Sequence, residues 1–242
     1  MNRSILAVLV SGVLAAGCSD PEMDKRMTDL EERIGALEKR PAGAAGPQAA
    51  SPEQEQAAAN LLKEAQQAYQ TLDIDTAKAK LAELKKDYSN TRAFRAGQRI
   101  QAEVDVVGRD EADLSVETWY QGSAADVKGG KATLYVFWEV WCPHCKREVP
   151  KLSATYDKFR GKGLTMVGLT KQTRNVTDDA VREFVNAQGV TYPIAKEEGD
   201  ALSQHYGVRG IPAAAMVKDG KVVWRGHPAQ LTDDMIGDFL GT

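Results

Sequence analysis

The chain has 242 residues, enough for one full domain and a smaller module. Its 31 Lys and Arg residues against 34 Asp and Glu residues give a formal net charge of −3. The chain therefore has no excess of positive charge of the kind that nucleic-acid binding requires, and nucleic acid is not expected as a partner.

The N-terminus has the pattern of an export signal. A positive charge precedes a short apolar run, Ile5 to Ala16, which is too short to span a bilayer comfortably. The segment from Leu14 to Cys18 resembles a bacterial lipoprotein signal, in which the peptide is cut before the cysteine and lipid is attached to it. The resemblance implies a signal peptide over residues 1–17, lipidation of Cys18 and a lipid anchor on the periplasmic side of the cell envelope. Ser19 favours the outer over the inner membrane, and an ordinary secretory signal is the alternative.

A short helix follows the signal. Apolar residues alternate at spacings of four and three, which is a heptad pattern: Met23, Met27, Leu30, Ile34 and Leu37. The pattern predicts a heptad helix over residues 18–40. This helix either stands alone or joins copies of the chain into a homo-oligomer through residues 23–37. The Pro, Gly and Ala residues that follow predict a flexible linker over residues 41–52.

Residues 53–105 are predicted to form a helical module. Ser51 is a plausible N-cap, and the segment is rich in Ala, Gln, Lys and Leu. Three groups of apolar residues recur at helical spacing, beginning at Leu61, Ala77 and Ala93. The pattern resembles a tetratricopeptide-type hairpin with an extra helix and is typical of a spacer or a small docking module.

Residues 106–242 alternate between strand and helix patterns. The predicted strands are continuous apolar runs or flank a turn signal: Thr133–Trp138, Leu164–Leu169, Ala213–Val217 and Val222–Arg225. The predicted helices show helical periodicity: Pro143 to about Phe159, a segment from Thr177 to about Gly189, and Leu231–Leu240. The order predicts an α/β domain with a mixed central sheet flanked by helices.

One cysteine pair carries the chemistry. With Cys18 assigned to the lipid, the remaining cysteines are Cys142 and Cys145, and they open a helix directly after a predicted strand. The partial positive charge of a helix N-terminus favours thiolate over thiol, so Cys142 is the expected nucleophile. Cys145, one turn along, can resolve a mixed disulfide. Pro143 suits the first helical turn, and His144 can stabilise the Cys142 thiolate.

The C-terminal region resembles the thioredoxin superfamily and, within it, the TlpA-like or ResA-like branch. The resemblance is carried by Phe137–Cys145, Glu148-Val149-Pro150 and Val208–Pro212. It implies a thioredoxin-like fold and a thiol–disulfide oxidoreductase that needs no cofactor and no metal. It also implies a cis peptide bond before Pro212, with Ile211 and Trp141 binding an extended substrate.

The sequence departs from thioredoxins at one position. Where thioredoxins carry a buried Asp, six residues before the first cysteine, this chain has Val136. Resolution by Cys145 requires a group that takes its proton. Glu148, in the place of a carboxylate that the family keeps near the cysteines, is the first candidate, and Glu139 is the second.

The expected activity is reduction of substrate disulfides through a mixed disulfide. The expected partners are protein dithiols or disulfides and a membrane or periplasmic thiol–disulfide electron partner. The Pro-His dipeptide is similar to that of DsbA-type oxidants, so a disulfide oxidant or isomerase is an alternative. A lipoprotein adaptor with a helical docking module is a further alternative, although it leaves the cysteine motif unexplained.

Two other classes of protein fit poorly. A zinc site usually takes four ligands in paired clusters, and the sequence offers one cysteine pair with isolated histidines at His205 and His227. A peroxiredoxin-type peroxidase would need a Thr and a Pro arranged upstream of a single peroxidatic cysteine, and those residues are missing.

Overall fold

The structure is a computed structural model that describes residues 21–38 and 49–242. The chain divides into two units, Met1–Gln48 and Ala49–Thr242. In the first unit, α1 (Pro21–Glu38) coincides with most of the predicted heptad helix. Four large apolar side chains of α1 are exposed: Met23, Met27, Leu30 and Ile34. The predicted signal peptide, Cys18 and residues 39–48 lie outside the described residues.

Three helices open the second unit: α2 (Pro52–Gln70), α3 (Ile74–Asp87) and α4 (Arg92–Val104). Each begins where a side-chain oxygen, from Ser51, Asp73 or Thr91, accepts a backbone N–H that the first turn leaves unpaired. Gly97 lets α4 approach its neighbours, because a Cβ there would lie 3.2 Å from Leu62 and 3.3 Å from Leu84. The three predicted helices are therefore present and pack into one bundle.

Six strands form one mixed sheet: β1 (Val116–Gln121), β2 (Ala132–Phe137), β3 (Leu164–Thr170), β4 (Ile194–Glu197), β5 (Ala213–Lys218) and β6 (Lys221–Gly226). Their order across the sheet is β1-β4-β3-β2-β5-β6. The three central strands β4, β3 and β2 run parallel, and β1, β5 and β6 pair antiparallel to their neighbours. The predicted strands are all present, and β1 and β4 are additional.

Helices cover the sheet: α5 (Pro143–Phe159), α6 (Asp178–Ala187), α7 (Ala201–His205) and α8 (Asp233–Leu240). Along β2 the side chains alternate between two apolar clusters, with Leu134 and Val136 in one and Tyr135 and Phe137 in the other. Since both faces of the strand are buried, its continuous apolar run is explained. The α/β fold class, a thioredoxin-like mixed sheet flanked by helices, is confirmed.

The helical bundle packs against the sheet. Its buried residues belong to the same apolar cluster as one face of β2. The Tyr69 hydroxyl on α2 donates to the backbone carbonyl of Arg225 on β6, and it accepts the Arg225 backbone N–H at 3.2 Å. The bundle and the sheet thus form one unit, while a domain boundary between residues 105 and 106 stays a prediction. Within the described ranges, no helix is both long and apolar enough to cross a bilayer.

Candidate active site

Cys142 and Cys145 lie at the N-terminus of α5, shortly after the end of the central strand β2. Cys142 is the N-cap of α5, and its Sγ accepts the backbone N–H of Cys145 at 3.2 Å. Both cysteines are free thiols. Cys142 is 4% exposed and Cys145 is fully buried. Of the two residues, Cys142 is therefore the more accessible.

The loop that ends at Pro212 contacts Cys142, the predicted nucleophile. The Ile211–Pro212 peptide bond is cis, which confirms the expectation from the sequence. The Cys142 thiol donates to the backbone carbonyl of Ile211 at a sulfur–oxygen distance of 3.8 Å. Pro212 is buried and Ile211 is half-buried. This places a backbone carbonyl next to the Cys142 sulfur, at the position where the sequence predicts that an extended substrate binds.

The environment of Cys145 opposes its ionisation. Burial is the largest cause that raises the pKa of the Cys145 thiol, and the side-chain hydrogen bond with Cys142 and the negative charge of Glu139 act in the same direction. A backbone hydrogen bond at Glu139 acts against them. Cys145 thus holds its proton until another group takes it.

Glu139 is a buried carboxylate beside this thiol, with 4% of its surface exposed. Its Oε1 accepts the backbone N–H groups of Lys171 at 3.2 Å and Thr173 at 3.3 Å, and its Oε2 accepts the Thr170 hydroxyl at 3.2 Å. These donors offset the cost of burying the charge and tie the cysteine loop to the loop after β3. From the sequence this residue ranks second because, unlike Glu148, it has no firm counterpart in the family, and a Glu in a loop carries no signal of burial.

Glu148 has a different setting. Its Oε1 accepts from the Lys151 ammonium at 3.0 Å, one turn further along α5, and 15% of its side chain is exposed. Its negative charge also acts on His227, whose pKa is lowered mainly by burial and partly restored by Glu148. Glu148 is thus the more solvated of the two candidate carboxylates.

The other predicted site residues lie at the mouth of the site. Pro143 and His144 are exposed in the first turn of α5. The His144 Nδ1 is 2.6 Å from Nη2 of Arg147, so His144 accepts a hydrogen bond from the guanidinium. Trp141 is half-buried, and its Nε1 donates to Thr173 at 2.9 Å.

Three residues near the cysteines were not found from the sequence. Arg174 stacks its guanidinium over the Trp141 ring at 3.6 Å, although 33 positions separate them in the sequence. Arg147 reaches His144, and His227 lines a cavity together with Ile211 and Pro212. The contact of Arg147 with His144 joins residues three apart in α5, so helical spacing could have indicated it. No spacing or motif indicates the other two positions, because loops and strand ends that are distant in sequence bring the residues together.

The described part of the chain contains no group of three or more His, Cys, Asp or Glu side chains arranged to hold a metal ion. His205 hydrogen-bonds the backbone carbonyl of Asp110 at 2.8 Å and packs edge-on against Tyr206. His227 accepts the backbone N–H of Ala229. Each of the two histidines outside the cysteine motif thus has a local structural partner.

Comparison with known proteins gives a consistent set of relatives. A family model described as the AhpC/TSA family matches residues 107–225. The chain is 35% identical over 116 residues to the thiol-disulfide oxidoreductase ResA of Bacillus anthracis. These aligned residues cover 47% of this chain and 65% of the relative. The chain is also 28% identical over 117 residues to ResA of Bacillus subtilis (strain 168), and this alignment covers 48% of this chain and 63% of the relative.

A solved structure of a putative thiol:disulfide interchange protein DsbE from Chlorobium tepidum is 23% identical, with a TM-score of 0.47, and covers 56% of this chain and 98% of that chain. This chain spans 65% and 63% of the length of the two ResA proteins. Over about half of its length, the half that holds Cys142 and Cys145, the chain is similar to the AhpC/TSA family and to proteins named as thiol-disulfide oxidoreductases.

Proposed function

We propose that this protein is a thiol–disulfide oxidoreductase that reduces disulfides in protein substrates through Cys142 and Cys145. The observation that carries the proposal is the arrangement of two free thiols at the start of α5, with the Ile211 carbonyl 3.8 Å from the Cys142 sulfur. Similarity to proteins named thiol-disulfide oxidoreductase ResA supports the same activity.

The reaction proceeds in two exchanges. The Cys142 thiolate attacks one sulfur of the substrate disulfide, so that a bond forms between Cys142 and the substrate while the second substrate sulfur leaves as a thiolate. Cys145 then loses its proton and attacks the Cys142 sulfur. The Cys142–Cys145 disulfide forms, the first substrate sulfur leaves, and two electrons have passed to the substrate. A second thiol–disulfide protein returns the pair to the dithiol.

Resolution of the mixed disulfide depends on a proton acceptor. We assign this role to Glu139, because its charge acts on the Cys145 thiol, whereas the Glu148 carboxylate is paired with Lys151. The donors around Glu139 hold its carboxylate in one position. In this arrangement Thr170, Lys171 and Thr173 position the base, and they do not react themselves.

Trapping of the mixed disulfide tests the function. The Cys145→Ser variant keeps the nucleophile and cannot resolve, so it should accumulate a covalent adduct with a disulfide-containing peptide, visible by mass. The Cys142→Ser variant is the matched control, since the fully buried Cys145 should form no adduct on the same time scale. Equal trapping by both variants, or by neither, would refute the assignment of the nucleophile.

The direction of electron flow is a separate part of the proposal. Reduction is proposed because the resemblance of the sequence to the TlpA-like or ResA-like branch implies it. A DsbA-like or isomerase-like oxidant is the alternative, on the strength of Pro143-His144, and an adaptor role is the non-enzymatic one. An adaptor would retain its biological activity in the Cys142→Ser variant, and an oxidoreductase would lose it.

We also propose that the protein acts on the periplasmic side of the cell envelope, held there by lipid on Cys18. The lipoprotein-type segment from Leu14 to Cys18 supports this location. Mass spectrometry of the full chain purified from membranes should find a lipidated N-terminal cysteine. Recovery of the wild type from the water-soluble fraction, as expected for Cys18→Ser, would contradict the anchor.

We also propose that copies of the chain associate with one another through α1. The four exposed apolar residues of α1 fall at positions a and d of a heptad, with Met27 and Ile34 at a. Arg26 and Arg33 then fall at g, and Glu31 falls at e. In a parallel pair Arg26 faces Glu31 of the second copy, which favours a parallel homo-oligomer. Sedimentation of the full chain should show an oligomer that Ile34→Glu dissociates, and a monomeric wild type would refute it.

A further inference from the structure

The rim of the site carries three arginines. Arg147 contacts His144, Arg174 stacks on Trp141, and Arg209 lies two residues before Ile211. Arg147 and Arg174 thus contact residues close to Cys142 in the chain, and Arg209 lines the same cavity as Ile211, whose carbonyl accepts from Cys142. All three are exposed, and none forms a salt bridge with a carboxylate of the described residues.

The acidic groups near the site do not neutralise this rim. Glu139 is buried, and its carboxylate accepts from three donors at the end of β3 and in the loop that follows it. Glu148 is paired with Lys151, and Glu103, which lines the cavity beside Arg209, is paired with Arg99. The N-terminus of α5 adds a partial positive charge at Cys142. The mouth of the site is thus positive on a chain whose net charge is −3.

The backbone of one of these arginines has an unusual conformation. Arg174 has a φ of 60°, in the left-handed region that non-glycine residues seldom adopt. Its neighbour Asn175 has a φ of 58°. Such conformations cluster at functional sites, where surrounding contacts hold them. The guanidinium that results lies over Trp141, the residue next to the nucleophile.

Room for a substrate segment lies next to the loop that ends at Pro212. A cavity of about 390 Å³ opens beside Ile211 and Pro212, and Arg209 lines it. Arg99 and Glu103 of α4 line it as well, so the helical bundle forms one of its walls. Residues that flank a substrate cysteine would pass through this space on their way past Ile211.

We propose that Arg147, Arg174 and Arg209 select disulfide substrates in which acidic residues flank the reacting cysteine. The proposal rests on the oxidoreductase function above and names its substrate class. Opposite charges across such a contact raise the association rate and favour one partner over others, more than they raise affinity. The partner is an acidic polypeptide segment, extended along Ile211 and within reach of all three arginines.

The test uses three disulfide peptides that differ only in the residues next to the disulfide: Glu, Gln or Lys. The pre-reduced full chain is mixed with each peptide, and the second-order rate of peptide reduction is measured at several salt concentrations. At low ionic strength the Glu peptide should react about tenfold faster than the Gln peptide, and the Lys peptide should be slowest. In 1 M salt, where screening acts within about 3 Å, the three rates should converge.

Variants check which charges are responsible. In the triple variant Arg147→Gln, Arg174→Gln and Arg209→Gln, the ratio of the Glu to the Gln rate should fall to about one. Arg95→Gln removes an exposed arginine from α4 and should keep the wild-type ratio. The ratio of the two rates is the measured quantity. A general loss of rate in the triple variant would lower both rates and leave their ratio unchanged, so it could not be mistaken for the expected result.

Two outcomes would overturn the proposal. Equal rates for the three peptides, or a preference that salt does not change, would contradict the arginine rim while leaving the oxidoreductase function intact. No reduction of any peptide would contradict both. Because the wild-type chain alone gives the charge series and its salt dependence, the result does not depend on how well the triple variant folds.

Discussion

Substitution of Glu139 separates the charge of this carboxylate from its hydrogen bonds. In Glu139→Gln the amide oxygen can still accept the N–H groups of Lys171 and Thr173, which lie 3.2 and 3.3 Å from Oε1. The amide N–H₂ can donate to the Thr170 hydroxyl, which lies 3.2 Å from Oε2. We expect the free energy of unfolding to stay within about 1 kcal/mol of the wild type.

Glu139→Ala is the contrasting change. It leaves the two backbone N–H groups without their acceptor, and an unsatisfied group costs about 1–3 kcal/mol when buried. Since water reaches part of the loop from Lys171 to Thr173, we expect a loss of about 2 kcal/mol in total. Urea unfolding measures both variants, and equal stability would refute the anchoring role.

The kinetic effect concerns the second exchange. If Glu139 takes the proton of Cys145, Glu139→Gln should slow resolution of a pre-formed mixed disulfide by about 100-fold. The same change removes a negative charge that raises the pKa of Cys145, so alkylation of Cys145 in a Cys142→Ser background should become faster. Slower resolution together with faster alkylation distinguishes a proton acceptor from a residue that only shapes the site.

Glu148→Gln is the matched control for this experiment. It removes a carboxylate one turn after Cys145 that is already paired with Lys151, so resolution should change by less than about tenfold. The reverse result, with wild-type resolution in Glu139→Gln and slow resolution in Glu148→Gln, would refute the assignment and support the first expectation from the sequence.

The remaining predictions concern ionisation and packing. Because burial raises the pKa of the Cys145 thiol, alkylation of Cys145 in Cys142→Ser should keep accelerating above pH 9, and a plateau at or below pH 9 would contradict this. Tyr69→Phe removes both hydrogen bonds to the β6 backbone and should lower the free energy of unfolding by about 1–3 kcal/mol in urea, with little effect on peptide reduction. Gly168→Ala places a methyl group 2.5 Å from a side-chain carbon of β4 and should lower the melting temperature, unlike Gly161→Ala, where the space is open.

The sequence indicated β2, β3, β5, β6 and every helix except the short α7, because their patterns are regular. β2 and β3 are buried on both faces, so they appear as unbroken apolar runs. The expected boundaries of α5, Pro143 to Phe159, agree with the structure, since a proline marks its first turn.

β1 and β4 were missed for a physical reason. β1 is half-exposed along most of its length, and its pairing with β4 contains two register shifts, so neither alternation nor an apolar run appears in its sequence. β4 has only four residues, too few for any period to be detected. Both owe their strand conformation to tertiary pairing at the edge of the sheet.

The site was predictable in part. The cysteine spacing is visible in the sequence, and the cis bond before Pro212 was implied by the family resemblance. The burial of Glu139 and the stacking of Arg174 on Trp141 do not, because the loop after β3 makes both contacts across more than 30 positions of sequence.

The reduction potential of the Cys142/Cys145 couple in the full chain tests the central claim most directly. Equilibration with glutathione or dithiothreitol should reveal a two-electron couple near about −270 mV or below, as expected for a reductant. A potential of about −120 to −180 mV would contradict the reductive direction and favour an oxidant or isomerase. The absence of any two-electron couple would contradict the oxidoreductase function itself.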